Sequence, residues 1–429
     1  MEEKSLEGHH PHRRRFGGRG YFHRIGPGLI TGAADDDPSG IGTYSQVGAA
    51  FGFSMLWSTF AALPLAIAVQ EATARLGLFS GKGLAALIKE HFPKWVLYVA
   101  LLLVVGANSF NIGADLGSMA SATRLVIPIP TAILVVGFAV LMAIIEILVP
   151  YHQYSRVLRW LCVSLLSYVA VLFIIEVSWV EVLGQIVAPN ISLNKATVAA
   201  LIALFGTTVS PYLFFWQTSE EVEELNNEGE RTANDGDAAG HLRAMRGDVI
   251  AGMSSGVLVM FAIMVTSAVT LGSAGIQTVA TAEQAAMALE PLAGSAAKYL
   301  FALGIVGTGL LAIPVLAGST SYALAETFGW REGLSLKLSQ ARAFYMVIVV
   351  SMCIGMGMNL VGLDPVRALY WSAILNGVAA PPLIVMIWIL SRRESVLGDR
   401  RSGHLSSTFV GLAALISAAL PIVYVVLQK

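Results

Sequence analysis

Apolar runs of about twenty residues recur along this chain. They limit its fold more than any other feature, because a helix of that length spans the hydrocarbon core of a bilayer. Eleven such windows fall near residues 28–50, 55–76, 97–118, 129–149, 158–179, 197–219, 248–272, 298–322, 342–361, 366–390 and 406–427. A transmembrane β-barrel would show short alternating segments instead, and runs such as VLYVALLLVVGA at residues 96–107 do not alternate. The composition agrees: 13% of the 429 residues are charged, about half the ~25% of a soluble domain. With 27 basic and 28 acidic residues there is no positive field for a nucleic acid, and so apolar a chain is not disordered. Cys162 and Cys353 both sit in apolar runs, which excludes a disulfide framework and a cysteine-ligated zinc site. The expected fold class is an all-α integral membrane protein.

Charge supplies an orientation. The N-terminal segment and alternate loops hold 22 of the 27 Lys and Arg residues, and the opposite side holds Arg124, Lys195, Lys298, Arg367 and Lys429. The positive-inside rule then puts the N-terminus in the cytoplasm and the C-terminus outside, in a multi-pass protein of the plasma membrane. The first 24 residues are polar and basic, so no cleavable signal peptide is expected. They carry His9, His10, His12 and His23; a disordered tail is the expectation and a metal-chelating arm the alternative. The stretch from Glu220 to Met245 holds eight carboxylates against Arg231 and Arg243, and reads as a solvated cytoplasmic linker. The domain organisation is a tail over 1–24, a ten-helix core over 25–405 and an eleventh helix over 406–429. Besides the lipid bilayer, no cofactor and no obligate protein partner is expected.

Two windows are interrupted. The first reads GPGLITGAADDDPSGIG, with Asp35, Asp36, Asp37, Pro38, Ser39 and Gly40 inside an apolar stretch. Proline removes a backbone donor and clashes with the preceding turn, and glycine weakens the helix further. Carboxylates at membrane depth must face a polar cavity or a cation. A span beginning after Gly40 would leave them at the surface, but the apolar GPGLITGAA before them argues against it. The sixth window, ALIALFGTTVSPYLFFWQTSEE, carries Gly206, Thr207, Thr208, Ser210 and Pro211 in its middle. Alone, this is a proline kink with Ser and Thr bonding back to the helix. The pairing changes that reading. One interruption opens the first five segments and the other the second five, which points to an inverted repeat over about 28–179 and 197–390 with a binding site at the midplane. Unwound backbone offers carbonyl oxygens, Asp37 adds a negative charge, and no Lys or Arg lies in either segment. The expected substrate is a cation in a hard, oxygen-rich site.

These residues resemble a known family. GPGLITGAADDDPSG is similar to the first-helix signature of the Nramp family of divalent metal transporters, whose core is D-P-G-N. QEATARLGLFSGKGLAALIKEHFPKW resembles the family's second helix and following loop, and FGTTVSPY resembles its sixth-helix motif A-T-V-M-P-H. The resemblance implies a LeuT-like 5+5 inverted repeat plus one helix, with metal held between the first and sixth helices. It also implies ligand positions: Asp37 keeps the family's Asp, whereas Gly40 stands at its Asn, Thr207 at its carbonyl-donating Ala and Ser210 at its Met. Asp36 is expected to support Asp37. Asn376 stands near the family's glutamine in the tenth segment and is expected to ligate or hold water, helix–helix hydrogen bonding being the alternative.

The departures carry information. Losing the Met sulfur removes the soft ligand that favours Mn²⁺ and Fe²⁺. Replacing Asn by Gly is expected to empty space for an ion that keeps part of its water, as Mg²⁺ does. The pattern resembles the Nramp-related magnesium transporter branch. Tyr212 and Gln217 replace the family's sixth-helix histidines, and Ser118 replaces the second acid beside Asp115. No histidine falls in a window, so proton coupling is expected to be weak or absent. Asn108 and Asn111 are expected to pack helices, and Tyr212 and Trp216 to shape the cavity. The expected function is secondary import of Mg²⁺, and also Mn²⁺, by alternating access. The alternatives are a proton-coupled Mn²⁺/Fe²⁺ symporter, a carrier of amino acids and a membrane metal sensor without transport. No nucleophile–base pair or H-E-x-x-H motif suggests an enzyme.

Overall fold

The computed structural model describes residues 27–149, 165–227 and 238–427. The histidine-bearing tail, residues 158–164 of the fifth window with Cys162, and residues 228–237 of the acidic stretch lie outside the described residues. Among the described residues every regular element is helical. The N-terminal half holds α1 (Pro27–Asp35), α2 (Pro38–Phe51), α3 (Trp57–Ser80), α4 (Leu84–His91), α5 (Lys94–Arg124), α6 (Thr131–Leu148), α7 (Leu166–Val171) and α8 (Trp179–Val187). The C-terminal half holds α9 (Lys195–Thr208), α10 (Pro211–Asn227), α11 (Ala238–Ser267), α12 (Ala297–Phe328), α13 (Arg342–Leu360), α14 (Pro365–Arg392) and α15 (His404–Val426). Ten of the apolar windows fall on these helices, whereas in the described part of the fifth only Leu166–Val171 is α-helical before a turn. Eight helical segments are long and apolar enough to cross a bilayer by themselves, and Pro38–Met55 with Trp57–Ser80 form a further pair bent by 108°.

Local chemistry sets the boundaries. Pro365 and Pro38 occupy the first helical positions of α14 and α2, where a missing N–H costs nothing. Asp364 caps α14 by accepting from Val366 N at 3.0 Å and Arg367 N at 3.1 Å, and Asn194 caps α9 by accepting from Thr197 N at 2.9 Å. α11 is already helical at Ala238, the first described residue after 237, so it extends well before its apolar window.

The interrupted segments are central. In Lys195–Leu225, 94% of the most apolar window is buried, against 22% in Thr131–Leu148 and in His404–Val426. α6 accordingly presents Ile133, Val140, Ile144 and Leu148 outward, an apolar belt suited to lipid. Between central helices small residues allow backbones to touch, which replaces the missing hydrophobic drive inside a membrane. α1 packs chiefly on α11, where a Cβ on Gly32 would lie 2.2 Å from the Gly252 carbonyl carbon and one on Gly252 2.2 Å from the Gly28 carbonyl oxygen. α9 meets α14 in the same way, with Gly206 on the Ala373 carbonyl oxygen and Gly377 on that of Ile202. α1 is also tied down by polar bonds. Asp248 on α11 accepts from Gly28 N at 2.6 Å and Leu29 N at 3.2 Å, and the Thr31 hydroxyl donates to Gln217 on α10.

Gly252→Val should force α1 away from α11 and cost about 1–3 kcal/mol, as overpacking of a close contact does. A lowered melting temperature in detergent is the expected result. Gly137→Ala, where the added methyl meets nothing within 4 Å, should melt like the parent.

Candidate cation site

Both interruptions expose backbone, and each is repaired by its own side chains. α1 ends at Asp35 and α2 starts at Pro38, leaving Asp36 and Asp37 between them. Asp37 is the cap of α2: its Oδ1 accepts from Gly40 N at 2.7 Å and from Ser39 Oγ at 2.6 Å. α9 ends at Thr208 and α10 starts at Pro211, leaving Val209 and Ser210. The Ser210 hydroxyl donates to the carbonyls of Gly206 and Thr207, both at 2.7 Å. Its oxygen keeps lone pairs for a cation, as does the Thr207 carbonyl, since each carbonyl carries two.

Two tyrosines stitch the breaks together. Tyr212 on α10 donates to the Ala34 carbonyl at 2.9 Å and its hydroxyl lies beside Asp37. Tyr44, two turns beyond Asp37 on α2, lies with its hydroxyl beside the Thr207 side chain. Both are buried. The sequence analysis did not single out Tyr44, although its seven-residue spacing from Asp37 puts both on one helix face. Tyr44 also changes the meaning of Gly40. A Cβ at Gly40 would lie 3.3 Å from the Tyr44 hydroxyl and 3.2 Å from the Asp35 carbonyl oxygen. The space expected beside Gly40 is therefore lined by Tyr44, and the missing side chain brings a phenol toward the break.

The other expected site residues separate. Asp115 on α5 is fully buried, lies within electrostatic reach of Asp37, and has no partner for either carboxylate oxygen. Asn376 is fully buried on α14 with neither amide atom paired, and α14 packs on α2, α5 and α9. Asp36 places its Oδ2 beside Gly256 on α11. Asn108 donates to Ser319 and Thr320 of α12 as expected of packing glue, whereas Asn111 has no partner. Among the described residues, no three His, Cys, Asp or Glu side chains converge on one point, and none of the ion pairs involves Asp35, Asp36, Asp37 or Asp115. The other oxygens beside Asp37 at the two breaks belong to hydroxyl and carbonyl groups.

The sequence profile described as Natural resistance-associated macrophage protein-like (Nramp) matches residues 28–427. The chain belongs to the Nramp family. Its relatives include proteins named divalent metal cation transporter MntH. That of Erwinia tasmaniensis is 25% identical over 411 residues, covering 93% of each chain, and one from Klebsiella pneumoniae is 27% identical over 394 residues, covering 87% of each. The fold is similar to that of a manganese transporter of Eremococcus coleocola, with a TM-score of 0.77 at 16% identity over 97% of this chain and 87% of that one. It is also similar to Mhp1, a nucleobase-cation-symport-1 family transporter, with a TM-score of 0.62 at 15% identity over 93% and 92% of the two chains. The fold is thus LeuT-like and all-helical.

At the far end of α10 the described start of the acidic stretch is helical and packed, where a solvated linker was expected. Glu223 accepts from Leu334 N at 3.0 Å and Ser335 N at 2.7 Å and is bonded by Tyr322, while Glu326 accepts from Ser219 at 2.8 Å and Ala86 N at 3.0 Å. With Glu332 and Gly83 they line a cavity of about 210 Å³. Glu332 lies in the loop after α12, and burial, with Glu326 and Glu223 close by, pushes its carboxyl up to about 8.

Tyr44→Phe keeps the ring against Gly40 and removes only the hydroxyl beside Thr207. It should weaken metal uptake several-fold at unchanged melting temperature, measured as apparent KM in liposomes. The raised carboxyl of Glu332 gives a second prediction. Its protonated form stabilises the fold fully below the ordinary carboxylate range, and that contribution is lost as pH rises through about 8. The melting temperature should fall as pH rises from about 5 to about 8 and level off above that, and Glu332→Gln should flatten the fall; an unaltered slope in the variant contradicts the assignment.

Proposed function

We propose that this chain is a carrier that imports divalent cations by alternating access, with Mg²⁺ as the main substrate and Mn²⁺ also accepted. The observation that carries the reading is the donor set at the two breaks. Asp37 supplies the charge, Thr207 and Ser210 supply hydroxyl and carbonyl oxygens, and no thioether stands at the Ser210 position. Hard oxygen donors suit Mg²⁺, which sheds water reluctantly and is commonly held through one or two carboxylates and retained waters. Asn376, with its unpaired amide, supports such a partly hydrated ion from α14. The relatives' names point to divalent metal transport in the family at large.

The chain crosses the membrane eleven times in this reading, in two five-helix repeats and an added helix, with its N-terminus in the cytoplasm. An inside-negative potential contributes about 2.3 kcal/mol per elementary charge per 100 mV, doubled for a divalent ion, so inward flow needs no proton. Tyr212 and Gln217 stand where proton-accepting histidines would be and serve instead as hydrogen-bonding struts to Ala34 and Thr31.

A second reading, a proton-coupled Mn²⁺/Fe²⁺ symporter, draws on two observations. Met260 Sδ lies 3.7 Å from the Thr208 hydroxyl, and Asp115 is a buried carboxylate close to Asp37. Uptake into proteoliposomes separates the two. In the first reading millimolar Mg²⁺ competes with Mn²⁺ entry, Asp37→Ala lowers the initial rate at least about ten-fold, a free-energy change of roughly 1.4 kcal/mol or more, and no lumenal acidification accompanies entry. Mn²⁺ uptake indifferent to Mg²⁺ and stoichiometric with protons would establish the second.

A further inference from the structure

Asp35 and Asp36 are used by nothing described so far. They are 2% and 5% exposed, and the Oδ1 of each has no hydrogen-bond partner. Neither has a Lys or Arg neighbour among the ion pairs of the described residues. Their Oδ2 atoms turn to the same place, the seam between α1 and α11 at Gly256. The point where Gly256 would carry a Cβ lies 3.6 Å from Asp36 Oδ2, 3.7 Å from Asp35 Oδ2 and 3.2 Å from the Gly32 carbonyl oxygen. Three oxygens therefore border one small space, and that space exists because residue 256 has no side chain.

The third oxygen belongs to the last turn of α1, which stops at Asp35. The negative end of the helix dipole falls on the same spot. Two adjacent carboxylates buried beside a helix C-terminus repel each other strongly, and no side chain of α11 relieves them: position 256 is glycine, and Gly252 below it is filled by the α1 backbone.

We propose that Asp35, Asp36 and the Gly32 carbonyl form a second divalent-cation site at the α1–α11 seam, distinct from the site at Asp37. Two carboxylates match the charge of one divalent ion. Movements of about 1–1.6 Å bring oxygens at these spacings to the 2.0–2.1 Å at which Mg²⁺ holds its ligands, with waters completing the shell. Asp37 takes no part, because its Oδ1 is held at 2.7 Å by Gly40 N and at 2.6 Å by Ser39 Oγ on the α2 side of the break. The site rests on the proposed carriage of divalent ions only for the choice of ion.

The test counts bound Mn²⁺ by electron paramagnetic resonance on the purified full chain in detergent, with Mg²⁺ as competitor. The parent should bind two equivalents. Asp35→Asn with Asp36→Asn should bind one, and so should Asp37→Ala. Gly256→Ala removes no charge and places a methyl among the three oxygens; it should also lose one equivalent while melting within a few degrees of the parent. A parent that binds one equivalent, or a double variant or Gly256→Ala that still binds two, overturns the second site, the latter results showing two carboxylates that share a proton instead. If Asp37→Ala retains two equivalents while Gly256→Ala loses one, the second site stands and the site proposed at Asp37 fails.

Discussion

An interrupted helix at membrane depth leaves backbone donors and acceptors with no water to satisfy them, and the rest of this structure is arranged around that debt. Asp37 and Ser210 settle it locally. The carboxylate closes the open N-terminus of α2, and the hydroxyl closes the open C-terminus of α9. Each therefore does structural work with part of its hydrogen-bonding capacity and leaves the remainder facing the break. Capping also fixes orientation. A carboxylate held by Gly40 N and Ser39 Oγ is already placed before any ion arrives, and preorganisation of that kind lowers the cost of binding.

Holding two broken helices against each other requires the intact helices to come unusually close. Glycines at the α1–α11 and α9–α14 contacts let backbone meet backbone, and the polar anchors on α1 come from two different neighbours. Asp248 takes its first amides, and Gln217 takes Thr31. The position of α1 thus depends on contacts made with its neighbours. An element of this kind is suited to move as a unit when those contacts are exchanged.

The interruption at Asp37 was legible from Pro38 and the aspartates, and that at Ser210 from Pro211, because proline acts through its own covalent ring and needs no partner. The pairing of Thr207 with Ser210 was likewise local. Tyr44 was not visible as part of the site, since its relation to Thr207 depends on how α2 lies across α9. Adjacency makes Asp36 a supporter of Asp37, and what it could not register is that the Oδ2 atoms of Asp36 and Asp35 both lie beside Gly256 on α11. The acidic stretch after Glu220 looked solvated because composition cannot register the amides of Leu334 and Ser335 that fold onto Glu223.

The amino-acid sequence by itself determined the all-helical membrane class, the placement of most apolar helices, the two breaks and the oxygen-rich character of the residues beside them. Each of these follows from interactions within a few residues or from the length of an apolar run against a bilayer of set thickness. Only the tertiary structure decided which carboxylate faces which helix, that the Tyr44 hydroxyl meets Thr207, and that Gly256 leaves a gap bordered by three oxygens. Those outcomes depend on close approach between segments some two hundred residues apart, and no local rule of helix, cap or turn specifies such an approach.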